Sequence, residues 1–167
     1  MPAERLGGNN SHAEGFQTQT YSDYSHTEGC LTKTFGRSSH AEGSGSITYG
    51  NFSHAEGIGT ITYGLGSHAS GLYTIASGSN QTVVGQYNKR GNTTDLFVIG
   101  GGSGDADVNR KDVFNVSTTT VIMSGSVNIS GSLFATSSWA TNALTASYLS
   151  TLQSELNSIT IFNLFIS

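Results

Sequence analysis

All five histidines of this chain, His12, His26, His40, His54 and His68, fall at a constant interval of 14 residues. Each sits in the same short phrase: Ser11-His12-Ala13-Glu14-Gly15, Ser25-His26-Thr27-Glu28-Gly29, Ser39-His40-Ala41-Glu42-Gly43, Ser53-His54-Ala55-Glu56-Gly57 and Ser67-His68-Ala69-Ser70-Gly71. The next register, Gln81-Thr82-Val83-Val84-Gly85, keeps the glycine and loses the histidine and glutamate. A second column runs Ser22, Gly36, Gly50, Gly64 and Gly78, and a third runs Tyr21, Phe35, Tyr49 and Tyr63 before ending at Ser77. Three columns in one register make an internal repeat, and a repeat of this length restricts the chain to a stack of like units.

Fourteen residues with two punctuation points divide into two strands of about five residues and two tight turns. The corners fall at Gly15 and Ser22 and their equivalents, where a positive φ or close backbone approach is expected. Along one strand the residues alternate, with Thr18 and Thr20 on one face and Gln19 and Tyr21 on the other. Later coils repeat this as Thr32/Thr34 against Lys33/Phe35, Ser46/Thr48 against Ile47/Tyr49, and Thr60/Thr62 against Ile61/Tyr63. In the other strand Ala13 opposes His12 and Glu14. Small residues therefore share the inside of a narrow all-β coil, and His, Glu, Ile, Tyr and Phe point outward.

The composition fits such a coil: the 167 residues include 22 Gly, 25 Ser and 20 Thr, and only 11% are charged, against about 25% in an ordinary domain. An interior of Ala, Ser and Thr buries too little apolar area to offset the chain entropy alone. Part of the outer surface is therefore expected to be covered by another chain.

Several function classes are set aside on the same grounds. A net charge of −4 with no basic cluster argues against a nucleic-acid partner. The single cysteine, Cys30, supports no internal disulfide. Met1 to Arg5 has no apolar run behind it, so no cleaved signal is expected. The apolar tail from Ile159 to Ile166 falls short of the ~20 residues that cross a bilayer, so no membrane insertion is expected. Histidine and glutamate recur in coil after coil, whereas an active site needs one singular constellation. No enzyme activity and no cofactor are expected. Asp105, Asp107 and Asn109 imitate part of a calcium loop, yet its glycine and closing glutamate are absent and Arg110-Lys111 follow. They read as a structural turn. The glycines between Gly100 and Gly104 lack the Gly-Lys-Ser/Thr ending of a phosphate loop.

The 14-residue unit resembles the left-handed parallel β-roll of trimeric autotransporter adhesin heads, and its Ser-His-Ala-Glu-Gly form is similar to repeats in phage tail-fibre and appendage proteins. The resemblance covers residues 9–88. Beyond it, Asp95 to Gly102 and Val113 to Val116 resemble the segment that follows such rolls in phage fibres, and Ser124 to Tyr148 is similar in composition to parts of marine phage structural proteins. The resemblance implies a left-handed solenoid of 14-residue coils in an intertwined homotrimer. In the adhesin heads the residues matching His12 and Glu14 are apolar and face the three-fold axis; here they are polar and titratable.

The function so implied is that of a structural fibre or appendage of a phage virion, serving host attachment or virion decoration. Its partners would be other virion proteins, joined through the C-terminal region, and a host-surface glycan or protein receptor. The alternative is the passenger head of a bacterial trimeric adhesin at the cell surface, and the third reading is a fibre-borne glycan hydrolase.

The chain divides into an N-terminal tip (1–10), the roll (11–88), a β-rich cap and transition region (89–148) and a tail (149–167). In the tail, Leu149, Leu152, Leu156, Ile159 and Ile166 follow a heptad-like spacing. They point to a short trimerising helix, or to a strand over Ile159 to Ile166 that pairs with a partner.

Two columns are candidate sites. His12, His26, His40, His54 and His68, alternating with Glu14, Glu28, Glu42 and Glu56, read as a ladder of His–Glu hydrogen bonds that fixes register at the trimer axis. The alternatives are plain surface exposure, or metal binding by one histidine per chain around a three-fold axis with the glutamates as orienting partners. The ladder is the expectation, and with it no metal. Tyr21, Phe35, Tyr49 and Tyr63 read as a packing stripe, with sugar stacking as the functional alternative.

Overall fold

The computed structural model describes residues 7–126 and residue 128. The expected C-terminal helix or partner-docking strand, with Leu149, Leu152, Leu156, Ile159 and Ile166, lies outside the described residues. In chain order the strands are β1 (His12–Phe16), β2 (Gln19–Thr20), β3 (His26–Cys30), β4 (Lys33–Thr34), β5 (His40–Ala41), β6 (Ile47–Thr48), β7 (His54–Ile58), β8 (Ile61–Thr62), β9 (His68–Leu72), β10 (Ile75–Ala76), β11 (Thr82–Gln86), β12 (Phe97–Gly101), β13 (Asp112–Val116) and β14 (Val121–Met123).

The odd-numbered strands from β1 to β11 pair in parallel as one sheet, and the even-numbered strands from β2 to β10 form a second. The chain thus winds an all-β solenoid of about six turns. Among the described residues the only helical element is a 3-10 turn at Asp107–Asn109. Pairing brings equivalent residues into line: His12, His26, His40, His54 and His68 lie on one another in succession, as do Thr20, Thr34, Thr48 and Thr62.

The inward face is the one expected. Thr18, Thr20, Thr32, Thr34, Thr60 and Thr62 are fully buried, as are Ala41, Ala55 and Ala69. The second strand departs from expectation, since it has two residues rather than five. The missing residues belong to the wider corner. There Asn10, Tyr24, Ser38, Phe52 and Asn80 adopt left-handed φ values of 52 to 57°, a conformation that costs L-residues about 1 kcal/mol each. The serine of each phrase closes this corner: Ser25, Ser39 and Ser53 donate through Oγ to the carbonyl three residues earlier, each at 2.6 Å.

The glycine column from Gly15 to Gly85 is demanded twice over. Gly57 has φ +108°, and a Cβ there would lie 2.3 Å from the Gly71 carbonyl oxygen. No side chain fits between coils at that position.

Past β11 the sheet continues through β12 in parallel and then turns antiparallel through β13 and β14. The buried column widens here from Ala69 to Val83 and Val98, which closes the solenoid with a small apolar plug. The last short strand, β10, is capped by side chains. Asn88 Oδ1 accepts from the Ile75 N–H at 2.7 Å, and Asn88 Nδ2 donates to the Ile75 carbonyl at 2.9 Å. The amide thereby copies the missing strand. Gln81 does the same at the corner, accepting from Ser77 and Gly78 and donating to Asn92 and Asp95. Arg110, buried beneath, donates to the Tyr73 and Asn88 carbonyls.

Chemical denaturation tests these constraints. Gly57→Ala is expected to lose about 4 kcal/mol, combining left-handed strain with a forced separation of coils. Gly45→Ala, where φ is +69° but nothing lies within 4 Å, is expected to lose only about 1 kcal/mol. Asn88→Ala leaves both polar groups of Ile75 unpaired and is expected to cost about 3 kcal/mol.

Candidate functional site

The odd-numbered strands carry the histidine and glutamate columns on their outer face. From His26 to His68 the imidazoles stack at 4.7 to 4.9 Å between centroids and within 6° of parallel. His12, at the start of the column, is tilted by 47° against His26. Each ring looks toward a glutamate: His26 Nε2 to Glu28 is 3.9 Å, His40 to Glu42 and His54 to Glu42 are both 4.0 Å, and His68 to Glu56 is 3.4 Å. None of these is a hydrogen bond. The Nε2 atoms of His26, His40, His54 and His68 are shielded and have no hydrogen-bond partner. The ladder expected from the sequence therefore exists as a stack of rings. Within one chain it is not a set of His–Glu hydrogen bonds, because the strand spacing sets ring on ring and leaves the carboxylates too distant or, for Glu56 at His68, out of line.

Beside the rings, Glu14, Glu28, Glu42 and Glu56 with Ser70 and the glycine column line a groove of about 630 Å³. In-register pairing sets these carboxylates one above another, and the column answers electrostatically. Contact with Glu28, burial and contact with Glu56 push the Glu42 carboxyl up to about 7. Glu56 moves down, chiefly because Ser70 donates to it. Burial and the neighbouring rings lower His40 and His54 below the ordinary histidine value, so both favour the neutral form. Four overlapping groups, His12–Glu14–His26, His26–Glu28–His40, His40–Glu42–His54 and His54–Glu56–His68, each place three ligand atoms within 4.8 Å of one another.

The aromatic column lies on the second sheet. Tyr21, Phe35, Tyr49 and Tyr63 stack at 4.5 to 5.0 Å and within 5° of parallel. Both ring faces of Phe35 and Tyr49 are thus spent on neighbours, which leaves them no open face for a sugar; Tyr21 and Tyr63, at the ends, each stack on one face only. Asp105 and Asp107 both pair with Arg90, and Asp105 also with Arg110. The carboxylates of this turn are neutralised by guanidinium groups, consistent with the structural reading of residues 105–109. Cys30 is a free, half-buried thiol.

Sequence reasoning did not single out the corner serines, Gln81, Asn88 or Arg110. The serines carried a signal, one per repeat at a fixed offset, and Gln81 marks where that column changes residue; Asn88 and Arg110 carried none.

Among the described residues no helix is long and apolar enough to cross a membrane. Compared with protein families, curated proteins and solved structures, the chain finds no match.

The glutamate column generates a pH-dependent stability. With its folded pKa raised from 4.5 to about 7, Glu42 stabilises the fold fully below pH 4.5 and loses that contribution as pH rises through 7. His40 and His54, with lowered values, act in the opposite sense and lose stability as pH falls below 6.5. In a chelator-containing buffer, Glu42→Gln is expected to be more stable than the parent at pH 8 by about 1 kcal/mol, allowing for solvent screening of a carboxyl one-third exposed. The gain is expected to vanish by pH 5 in thermal melts.

Proposed function

We propose that this chain is a structural fibre or appendage element, assembled as a homotrimer of left-handed β-rolls, that extends a rigid rod from a phage virion for host attachment or decoration. One observation carries the assembly. Inside the coils the side chains are small or polar, while Phe16, Tyr24, Phe52, Ile58 and Leu65 are each at least half exposed. Large apolar groups spread over both corners of a thin rod are surface awaiting a partner, and a solenoid whose interior is Ala, Ser and Thr lacks the apolar burial to stand alone. Three copies side by side would cover part of this apolar surface on each and supply what the interior does not.

The virion assignment rests on the resemblance of the Ser-His-Ala-Glu-Gly repeats to phage fibre and appendage proteins. The recurrent, non-singular placement of His and Glu fits a mechanical role better than a catalytic one. Partners of such a rod are neighbouring virion proteins and a glycan or protein of the host surface.

Native mass spectrometry of the purified full chain tests the assembly. A mass of three chains that persists on dilution is expected; a stable, folded monomer overturns the reading. Peptides of the chain recovered from purified virions support the virion assignment, whereas recovery only from bacterial envelopes overturns it in favour of a cell-surface adhesin.

A further inference from the structure

Four histidines in successive coils, His26, His40, His54 and His68, each hold a shielded Nε2 with no hydrogen-bond partner. Folded chains seldom leave such groups unsatisfied, and here the omission recurs with the repeat. Each Nε2 faces a glutamate oxygen at 3.4 to 4.0 Å. Three of the four are beyond hydrogen-bond reach, and His68, at 3.4 Å, makes no hydrogen bond either. Two ligands on one tetrahedral ion, with bonds of ~2.0 to 2.2 Å, stand about 3.4 Å apart; His68 and Glu56 already match this, and the parallel rings, 4.7 to 4.9 Å apart, share an ion by tilting their Nε2 edges toward each other.

Glu42 is placed most symmetrically, one carboxylate oxygen 4.0 Å from His40 Nε2 and the other 4.0 Å from His54 Nε2. Imidazole and carboxylate together are donors of the zinc class. The groove beside the rings, lined by Glu28, Glu42 and Glu56, gives a cation an acidic route to them.

We propose that the histidine column binds zinc-class divalent ions, each held by Nε2 of two histidines in adjacent coils and by a carboxylate between them, with the remaining position left to water. Neighbouring groups share histidines, and one Nε2 serves one ion. Five histidines in a row therefore supply two disjoint pairs, and the chain takes two ions. Binding of this kind needs only the coils of a single chain, so it stands apart from the trimeric reading. It differs also from a ring of three histidines donated by three chains.

The pairing rule makes an uneven mutational pattern. His12→Gln leaves the pairs His26–His40 and His54–His68, and His40→Gln leaves His12–His26 and His54–His68. Both variants keep two ions. His54→Gln leaves one adjacent pair among His12, His26 and His40, and keeps one ion. The double variant His26→Gln/His54→Gln leaves no adjacent pair and binds none.

The experiment is native mass spectrometry of the chelator-stripped full chain titrated with zinc chloride. Circular dichroism of each variant reports whether the solenoid is intact, and the same mass spectra count chains, so assembly and metal binding are read separately. Two ions per chain with the uneven pattern is the expected result. Absence of zinc uptake by the folded wild-type chain overturns the proposal, as does an equal loss for every single-histidine variant, which would mark inter-chain rings. Cobalt(II) added to the wild-type chain gives a second readout that no variant enters. An intense visible band of a tetrahedral N/O site is expected, and an octahedral aqua-like spectrum overturns the assignment.

Discussion

The spacing between successive coils governs nearly everything in this structure. Parallel backbone pairing sets it at ~4.8 Å, and the in-register repeat transmits that one distance to every column. At the glycine column it is too short for a Cβ. At the histidine and tyrosine columns it is close to the stacking distance of flat rings, which is why both form near-parallel ladders. At the glutamate column the same distance is unfavourable, because it holds carboxylates within reach of one another. One geometric constant thus produces a steric requirement, two attractive ladders and one repulsive one.

The narrowness of the coil has a second consequence. Only Ala, Ser, Thr and, at the closing end, Val, Gln and Asn fit inside. Several of the hydroxyls that enter find partners there, as Ser39 and Ser53 do with Thr48 and Thr62 at 2.8 Å, although those of Thr18, Thr27 and Thr34 do not. Such an interior is well packed but contributes little hydrophobic stabilisation. The larger apolar groups are displaced to the outside, where a single chain leaves them wet. The end of the coil is sealed by polar mimicry, as the Asn88 and Gln81 amides do.

Periodicity alone makes the coil legible in the sequence. The threonine and alanine faces, the glycine column and the outward placement of His12 to His68 all follow from strict recurrence at one interval. What recurrence does not specify is how the 14 residues divide, because left-handed corner residues such as Tyr24, Phe52 and Tyr73 carry no turn signature in their side chains. Non-repeating features are also illegible. Asn88 and Arg110 act through partners 13 and 37 residues away, and nothing local marks them. At the site, the residues are readable but their relation is not: hydrogen bond or stack depends on distances of a few tenths of an ångström.

A column of like charges in strict register needs a reason to persist, since each pair at this spacing costs about 1 to 3 kcal/mol depending on local screening. Three responses are open to such a column: hold a proton between neighbours, interleave opposite charge, or bind a cation. Glu42, with its carboxyl at about 7, expresses the first. The histidines provide the second only when protonated, which the stack of neighbouring rings opposes. The third pairs neutral imidazoles with carboxylates that give up the shared proton to the cation, and turns the repulsion of one column and the unmet Nε2 atoms of the other into a single favourable interaction. The repeat that makes the chain a rod also multiplies this arrangement along it, so that any affinity of one coil pair for a cation becomes a property of the whole face.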